Sequence, residues 1–345
     1  MRILERIEEI YAIGGGPGAN RPGFSDAEQA AHDLAAGWFE EAGLTVEVDP
    51  DGNLVGRLVG DDPQAGEIWT GSHLDSVPNG GRFDGVLGVL AGLEAVERIG
   101  RCRRTLGVAV FRDEERGLTG SRARVGRGTL PKAFVEVHIE QGPVLANVQA
   151  PLGVVTAIVG LARGEVTLEG AAGHAGTTPM EGRRDALAAA AELVLHVRDS
   201  ARAHEGCVAT VGRIEVSPGA ENVIPGRATL SIDARAPDEA RLQALVTAIG
   251  FTPSLTTAPA QMDDGVRAVL RGELEQRGLP APELVSGAGH DTGVLAAAGV
   301  RTGMLFVRSG AGGVSHSPEE WTDPADVALC VDVLSGALAR LANAP

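Results

Sequence analysis

The sequence predicts an α/β fold interrupted by a small inserted α+β domain. Strand and helix patterns alternate from Ser25 to His138 and again beyond Gln261, the order of a sheet with helices on its faces. Between them runs a β-α-β-β-α order, which makes a small antiparallel sheet with two helices on one side, as in ferredoxin-like units. The length of 345 residues also suggests two domains, and an apolar fraction of 43% is enough for a substantial core. The expected division is 1–155 with 259–345 for the larger domain and 156–258 for the insertion.

The elements follow in order. Ser25-Asp26-Ala27-Glu28 reads as a capping box and Gly43 as a stop, bounding a helix with Ala30, Leu34, Trp38 and Phe39 on one face. Strand patterns follow at Thr45–Val48, Asn53–Val59 and Ile68–Ser72. A helix from about Gly85 to Ile99 leads to the apolar strand Leu106–Phe111, and the strand Phe134–Val137 ends at His138. In the middle, Val154–Leu168 reads as one extended segment, followed by a loop at Gly173–Met180 and an Ala/Leu-rich helix, Arg184–Arg202. Strands at Cys207–Val216 and Arg227–Ala234 and a helix at Pro237–Ile249 complete the insertion. Phe251–Pro259 is the best linker candidate for the return. Helices at Val266–Arg277 and Asp291–Ala298, a strand at Gly303–Val307 and a closing helix at Pro324–Ala342 follow.

Composition excludes several classes of function. A formal charge of −16 argues against nucleic-acid and anionic-membrane binding, which need a basic surface. No stretch approaches the ~18 apolar residues of a membrane span. The amphipathic, acidic start at Met1–Ile10 lacks the unbroken apolar run of a signal peptide. Three cysteines, none in a CxxC pair, make a disulfide framework improbable and fit a reducing cytoplasm.

Five short segments each carry a residue type that a transition metal wants. They are Gly71–Ser76 with His73, Gly80–Gly85 with Asp84, Asp113-Glu114-Glu115, His138–Gly142, and Ser315–Pro318 with His316. Three imidazoles and two carboxylates suit a pair of divalent metals, and such a pair suits hydrolysis of a C–N bond. Asp75, two residues after His73, can orient that imidazole or a neighbouring group. Asp84 lies among glycines that let the backbone approach closely, and its carboxylate can bridge two metals. Glu114 and Glu115 are adjacent with diverging side chains, so one can ligate while the other stays free as general base. His73, Glu114, Glu115 and His138 fall at the ends of strand patterns, where open α/β sheets gather their ligands. His32, His196 and His204 read as surface residues, and Arg183 and Arg184 as structural.

These motifs resemble those of the metal-dependent aminoacylase and carboxypeptidase superfamily. Within it they are similar to the hydantoinase/carbamoylase-type amidases, the branch of N-carbamoyl-L-amino-acid hydrolase, allantoate amidohydrolase and β-ureidopropionase. The likeness runs through Gly71–Ser76, Gly80–Gly85, His138–Leu145, His174–Met180, Arg184–Leu187, Asn222–Pro225, Ser286–Asp291 and Ser315–Pro318. It implies a mixed-sheet dinuclear-metal hydrolase core with an inserted lid and dimerisation domain. His73, Asp84 and His138 would hold one metal, and Asp84, Glu115 and His316 the other, with Asp84 bridging. In this branch a histidine, here His138, replaces a carboxylate that many relatives use. Glu114 would be the general base, supported by Asp75, and His174 the oxyanion stabiliser. Asn222 and Arg235 would anchor a substrate carboxylate, and a guanidinium suits that task because it binds carboxylates bidentately. Gln141 and the Ser286–Asp291 loop, with Gly287 and His290, would line the pocket.

The resemblance implies a metal-dependent amidohydrolase, working as a homodimer on a small ureido or carbamoyl acid. The metals would be two divalent ions among Zn, Mn, Co and Ni, since a His/carboxylate site accepts any of them. An aminoacylase or dipeptidase of the same superfamily is the enzymatic alternative, and a non-catalytic metal- or ligand-binding relative the other. The latter is motivated by a departure. Relatives carry a longer stretch between the two glutamates and His138, with an Arg-Phe soon after the glutamates, where this chain has only Arg116–Val137 and places Leu118. A second departure is Thr292, where a small apolar residue is usual; its expected effect is minor.

Overall fold

The computed structural model describes residues 2–344. The chain forms two compact units, Met1–Thr156 with Gln261–Pro345, and Ala157–Ala260. In chain order the strands are β1 (Thr45–Val48), β2 (Leu54–Leu58), β3 (Glu67–His73), β4 (Thr105–Phe111), β5 (Ala133–Ile139), β6 (Leu152–Ile158), β7 (Gly160–Glu169), β8 (Gly173–His174), β9 (Val208–Ser217), β10 (Val223–Ile224), β11 (Arg227–Ala236), β12 (Leu255–Thr257), β13 (Ala260–Gln261), β14 (Glu283–Ser286) and β15 (Arg301–Val307).

The larger unit is built on a mixed sheet of order β1-β2-β4-β3-β5-β15-β6-β13, with β14 pairing β6. Its centre, β4-β3-β5-β15, is parallel, and β2 and β6 flank it antiparallel. Alternating side chains load the two faces. Leu106, Val108 and Val110 of β4 and Val135, Val137 and Ile139 of β5 join the main core, together with the helices Arg2–Tyr11, Val86–Ile99 and Pro324–Asn343. Trp69, Ala109, Phe111 and Phe134 point the other way, into a smaller cluster with Leu295. The helix Val86–Ile99 is almost wholly apolar because it is almost wholly buried.

The second unit is a four-stranded antiparallel sheet of order β12-β7-β11-β9. Helices Ala186–Ala203 and Glu239–Ile249 pack on one face, against the buried alternate residues Ala228, Leu230, Ile232, Ala234 and Ala236 of β11. The connectivity is β-α-β-β-α-β. A two-stranded ribbon pairs β8 with β10.

Three expectations are corrected. Val154–Leu168 is not one strand but two, β6 and β7, broken at Val159 just past the passage between units at Thr156–Ala157. Phe251–Pro259 is not a free linker: Leu255–Thr257 adds the strand β12 to the edge of β7, and its backbone hydrogen bonds override a sequence rich in Thr and Pro. His32 is not on the surface; it is 3% exposed on the inner side of the helix Asp26–Glu41, among the described residues with no partner for either ring nitrogen.

Candidate metal centre

The carboxyl ends of the four parallel strands converge. β4 lies on one side of β3 and β5 on the other, so the strand order changes side at β3, the place where open α/β sheets gather their ligands. His73 is the last residue of β3, Glu114 opens a short helix just past β4, and His316 lies in the loop after β15. His138 lies inside β5 rather than after it, because pairing with Phe306 of β15 extends that strand. Gly85 takes φ +68°, and a Cβ there would sit 2.5 Å from the His73 ring, so only glycine lets the backbone after Asp84 pass the imidazole.

Asp84 is the hub. Its Oδ1 lies 3.0 Å from His138 Nε2 and 3.7 Å from His73 Nε2, and its Oδ2 lies 3.3 Å from His316 Nε2. His316 Nε2 is also 3.4 Å from Glu115 Oε2. Two three-residue groups result, His73/Asp84/His138 and Asp84/Glu115/His316, with the potential ligand atoms of each within 4.8 Å of one another. Both sets fit divalent cations. His73 Nε2 and Glu115 Oε1 are buried with no hydrogen-bond partner among the described residues, as ligand atoms facing a cation are. The other ring nitrogens are already held: His138 Nδ1 by the Ile139 carbonyl at 2.9 Å, and His73 Nδ1 by the Asp75 carboxylate and carbonyl, each at 3.2 Å. That leaves both Nε2 atoms as the ring nitrogens available to a cation.

Asp75 is fully buried and does a second task. Its two oxygens accept from the backbone N–H groups of Glu114 at 3.1 Å and Glu115 at 3.2 Å. Glu114 is 9% exposed, and its Oε2 lies 3.8 Å from His73 Nε2. Burial raises the Glu114 carboxyl well above its ordinary value, and burial with Asp84 beside it raises Glu115. Burial also raises the Asp84 carboxyl, yet its contacts with His138, His316 and His73 win and hold it well below the usual range. Burial lowers His73, but Glu114, Asp75 and Asp84 together overcome it and hold the imidazole well above its ordinary value. Asp84 raises His316 to about 9. This excess of acceptors is the electrostatic counterpart of a cation site.

The pocket residues expected from the same unit lie close by. Gln141 Nε2 donates to Asp84 Oδ2 at 2.9 Å and to Ser315 Oγ at 3.2 Å. His290 is buried, its ring centroid 4.5 Å from that of His138 and its Nδ1 4.0 Å from Glu114 Oε1. Gly287 is exposed on the same loop. Thr292 donates from both its N–H and its hydroxyl to Glu136 Oε2, while Ser72 Oγ donates to Oε1 at 2.7 Å, so the departure at this position serves a buried carboxylate.

The second unit carries the other three candidates. His174 is exposed on the β8–β10 ribbon, opposite Val223. Its Nδ1 accepts from the N–H groups of Gly176 at 3.0 Å and Thr177 at 3.2 Å, which leaves the proton on Nε2. Asn222 is exposed, and its carbonyl takes the Ala175 N–H at 2.9 Å. Arg235 is not near them. It pairs with Asp233, Nε to Oδ1 at 2.9 Å, eight residues along β11 from Arg227, where the chain leads out to the ribbon. At ~3.3 Å per residue that is about 26 Å.

Sequence reasoning missed Glu320, which is 2% exposed. Its Oε1 accepts from the N–H groups of Phe83 at 2.8 Å and Asp84 at 3.1 Å, and its Oε2 from Ser315 Oγ at 2.8 Å. One buried carboxylate thus ties the Asp84 segment to the His316 loop. A Cβ on Gly81 would sit 2.0 Å from that carboxyl carbon. The only signal in the sequence was the acidic pair Glu319-Glu320, three and four residues after His316.

A family model described as peptidase family M20/M25/M40 matches residues 69–340. An N-carbamoyl-L-amino acid amidohydrolase of Geobacillus stearothermophilus is 38% identical, over 99% of this chain and 98% of its own length. That alignment runs over 406 positions, more than the 345 residues here, so the relative carries segments this chain lacks. Allantoate deiminase 1 of Glycine max is 31% identical over 92% of this chain and 85% of its own. The crystal structure of a hydantoinase/carbamoylase family amidase from Burkholderia multivorans superposes with a TM-score of 0.95 at 32% identity, covering 100% of this chain and 98% of that chain. Family match, shared fold and the geometry around Asp84 agree: the chain belongs to peptidase family M20/M25/M40, in its hydantoinase/carbamoylase amidase branch.

Proposed function

We propose that this protein is a metal-dependent amidohydrolase that cleaves a carbamoyl or ureido C–N bond in a small carboxylate-bearing substrate of the N-carbamoyl-L-amino-acid or allantoate class. The observation that carries the reading is Asp84, shared between two three-residue groups, with Glu114 beside them and outside both. The names of the relatives favour carbamoyl chemistry over the aminoacylase or dipeptidase alternative.

Two divalent metals, held by His73, Asp84 and His138 and by Asp84, Glu115 and His316, would supply an acidified water and a polarised carbonyl. Glu114 takes a proton from the attacking water and returns it to the leaving nitrogen as the C–N bond breaks. Asp75 keeps Glu114 and His73 in place through the contacts above. His174, with its proton on Nε2, donates to the oxyanion. Gln141, Gly287 and His290 line the pocket. Arg235 and Asn222 receive the substrate carboxylate, and Arg235 exchanges part of its contact with Asp233 for it.

A homodimer belongs to this reading. A ureido acid spans well under the ~26 Å of β11 between Arg235 and Arg227, the end from which the chain leads out to the ribbon of His174 and Asn222, which favours contacts from two copies. A second copy supplies the missing contacts. The inserted unit is the pairing element and the lid: β9 is a ten-residue edge strand, paired with β11 on one side only among the described residues, and the helix Ala186–Ala203 exposes Leu187, Val194 and Leu195 beside it.

The test is a panel of N-carbamoyl-L-amino acids, allantoate, β-ureidopropionate, N-acyl amino acids and dipeptides, presented to protein loaded with Zn, Mn, Co or Ni. Ammonia and free amine are measured. Release from ureido acids alone is expected. Turnover of dipeptides or N-acyl amino acids alone would shift the reading to the alternative enzyme. No turnover with any metal would favour a binding protein.

A further inference from the structure

We infer that Glu28 is a positioning residue for Glu114, acting through the backbone of Asp113. This rests on Glu114 being the base.

Glu28 stands at the third position of a helix whose start reads as a capping box. Only half of that box forms. Ser25 Oγ accepts from the Glu28 N–H at 3.2 Å, but the Ser25 N–H goes to the Pro22 carbonyl at 3.0 Å. The Glu28 carboxylate turns inward and is fully buried. Its Oε1 accepts from the Asp113 N–H at 2.9 Å; its Oε2 accepts from the Phe24 N–H at 2.5 Å and lies 3.1 Å from Arg112 Nε.

Asp113 is the residue that aims Glu114. It adopts φ +52°, ψ +50°, the left-handed region that penalises a non-glycine residue. That turn brings the Glu114 and Glu115 N–H groups onto the two oxygens of Asp75. Three successive N–H groups, of residues 113, 114 and 115, therefore end on two buried carboxylates, one after β3 and one on the helix Asp26–Glu41. The Asp113 side chain fixes the following turn, accepting from Thr119 Oγ1 at 2.6 Å and Arg116 Nε at 2.7 Å. Among these anchors, Glu28 alone holds the strained residue's own N–H. Without it the turn relaxes toward right-handed φ, and the Glu114 carboxylate swings away from the point of attack, where an error of about 1 Å can cost roughly 100-fold.

The test is Glu28→Gln beside Glu114→Gln, both metal-loaded, with an N-carbamoyl-L-amino acid as substrate. The isosteric amide keeps one acceptor and loses the other. Metal content and melting behaviour check integrity, and hydrogen exchange of the 112–115 amides reports the turn directly. The expected result for Glu28→Gln is a kcat lower by roughly 10–100-fold, a KM within about 2-fold, unchanged metal content and faster exchange at 113–115. Asp113→Pro, which removes the N–H and forces negative φ while leaving Glu28 with Arg112, is expected to reproduce the kcat loss and serves if Glu28→Gln does not fold. An unchanged kcat in either folded variant, with Glu114→Gln inactive, overturns the inference and leaves the base assignment standing. An active Glu114→Gln overturns the base assignment, and the inference with it.

Discussion

Asp84 offers one carboxylate oxygen to His73 and His138 and the other to His316, and Glu114 stands apart from both groups. A residue outside the ligand groups but 3.8 Å from one of their members can move protons without giving up a metal. Glu114→Gln is therefore expected to keep wild-type metal content by mass spectrometry while turnover falls by ~10²–10⁴-fold. Near-wild-type turnover would remove Glu114 from the chemistry. Arg235 poses a different question, because its guanidinium already holds Asp233. If it also receives the substrate, Arg235→Ala raises KM for ureido acids far more than for their amides, by the ~1.5–3 kcal/mol of a charge-assisted pair. Equal effects on acids and amides would make it a structural ion pair. His32 bears on stability alone. Burial holds its imidazole down to about 3, against an ordinary value near 6.5. Between those values the unfolded chain binds a proton that the folded chain refuses, so its contribution is intact above pH 6.5 and erodes as pH falls. His32→Leu should flatten the loss of urea resistance below pH 6.5 by up to ~1.4 kcal/mol per pH unit. Parallel profiles for the two proteins would refute this.

At the scale of elements, the parallel centre of the larger sheet decides where the chemistry lies. β3, β4, β5 and β15 end side by side, and each end carries or leads to a functional group. A close join lies at Gly85, between Asp84 and the buried helix Val86–Ile99. Gly85→Ala would set a methyl 2.5 Å from the His73 ring in a backbone region that penalises any side chain. The expected result is metal affinity weaker by roughly 10–100-fold in calorimetric titration, with the larger sheet intact by circular dichroism. Unaltered affinity would mean that His73 has room to shift and still ligate.

For the whole molecule, the proposed function ties activity to metal content and to assembly, and both links can be measured. Metals that bind only the folded state stabilise it by mass action, so a chelator should lower the melting temperature and each added metal restore it, saturating at two per chain. Saturation at one would leave one of the two groups around Asp84 without a role. Sedimentation at micromolar concentration is expected to show a homodimer, and arginines at Val194 and Leu195 to produce monomers with intact metal sites and little turnover. A monomer fully active at nanomolar concentration would sink both the dimer and any contribution from His174 across it. No helix among the described residues is long and apolar enough to cross a membrane.

Much of the candidate centre was legible because its candidate ligands sit in short contiguous runs. His73 with Asp75, Glu114 with Glu115, and His138 with Gln141 are each read within a few residues, and period-two and helical patterns located nearly every large element. What one-dimensional patterns do not hold is sheet order, and sheet order decided the rest. The helix start at Ser25–Glu28 read as a local cap, yet tertiary packing gave the Glu28 carboxylate to Asp113, eighty-five residues away. Glu320 serves Asp84 across a separation of 236 residues. His32 looked like one more polar residue on an amphipathic helix, and only the packing of that helix decided which side faced inward. Val154–Leu168 carried one continuous strand pattern, because propensity is blind to the point where a chain leaves one compact unit for another. By itself the sequence determined which chemical groups this protein possesses and the strand ends that carry most of them. Only the folded structure decided which buried carboxylates hold those groups in place, since a hydrogen bond between distant segments depends on which strands become neighbours.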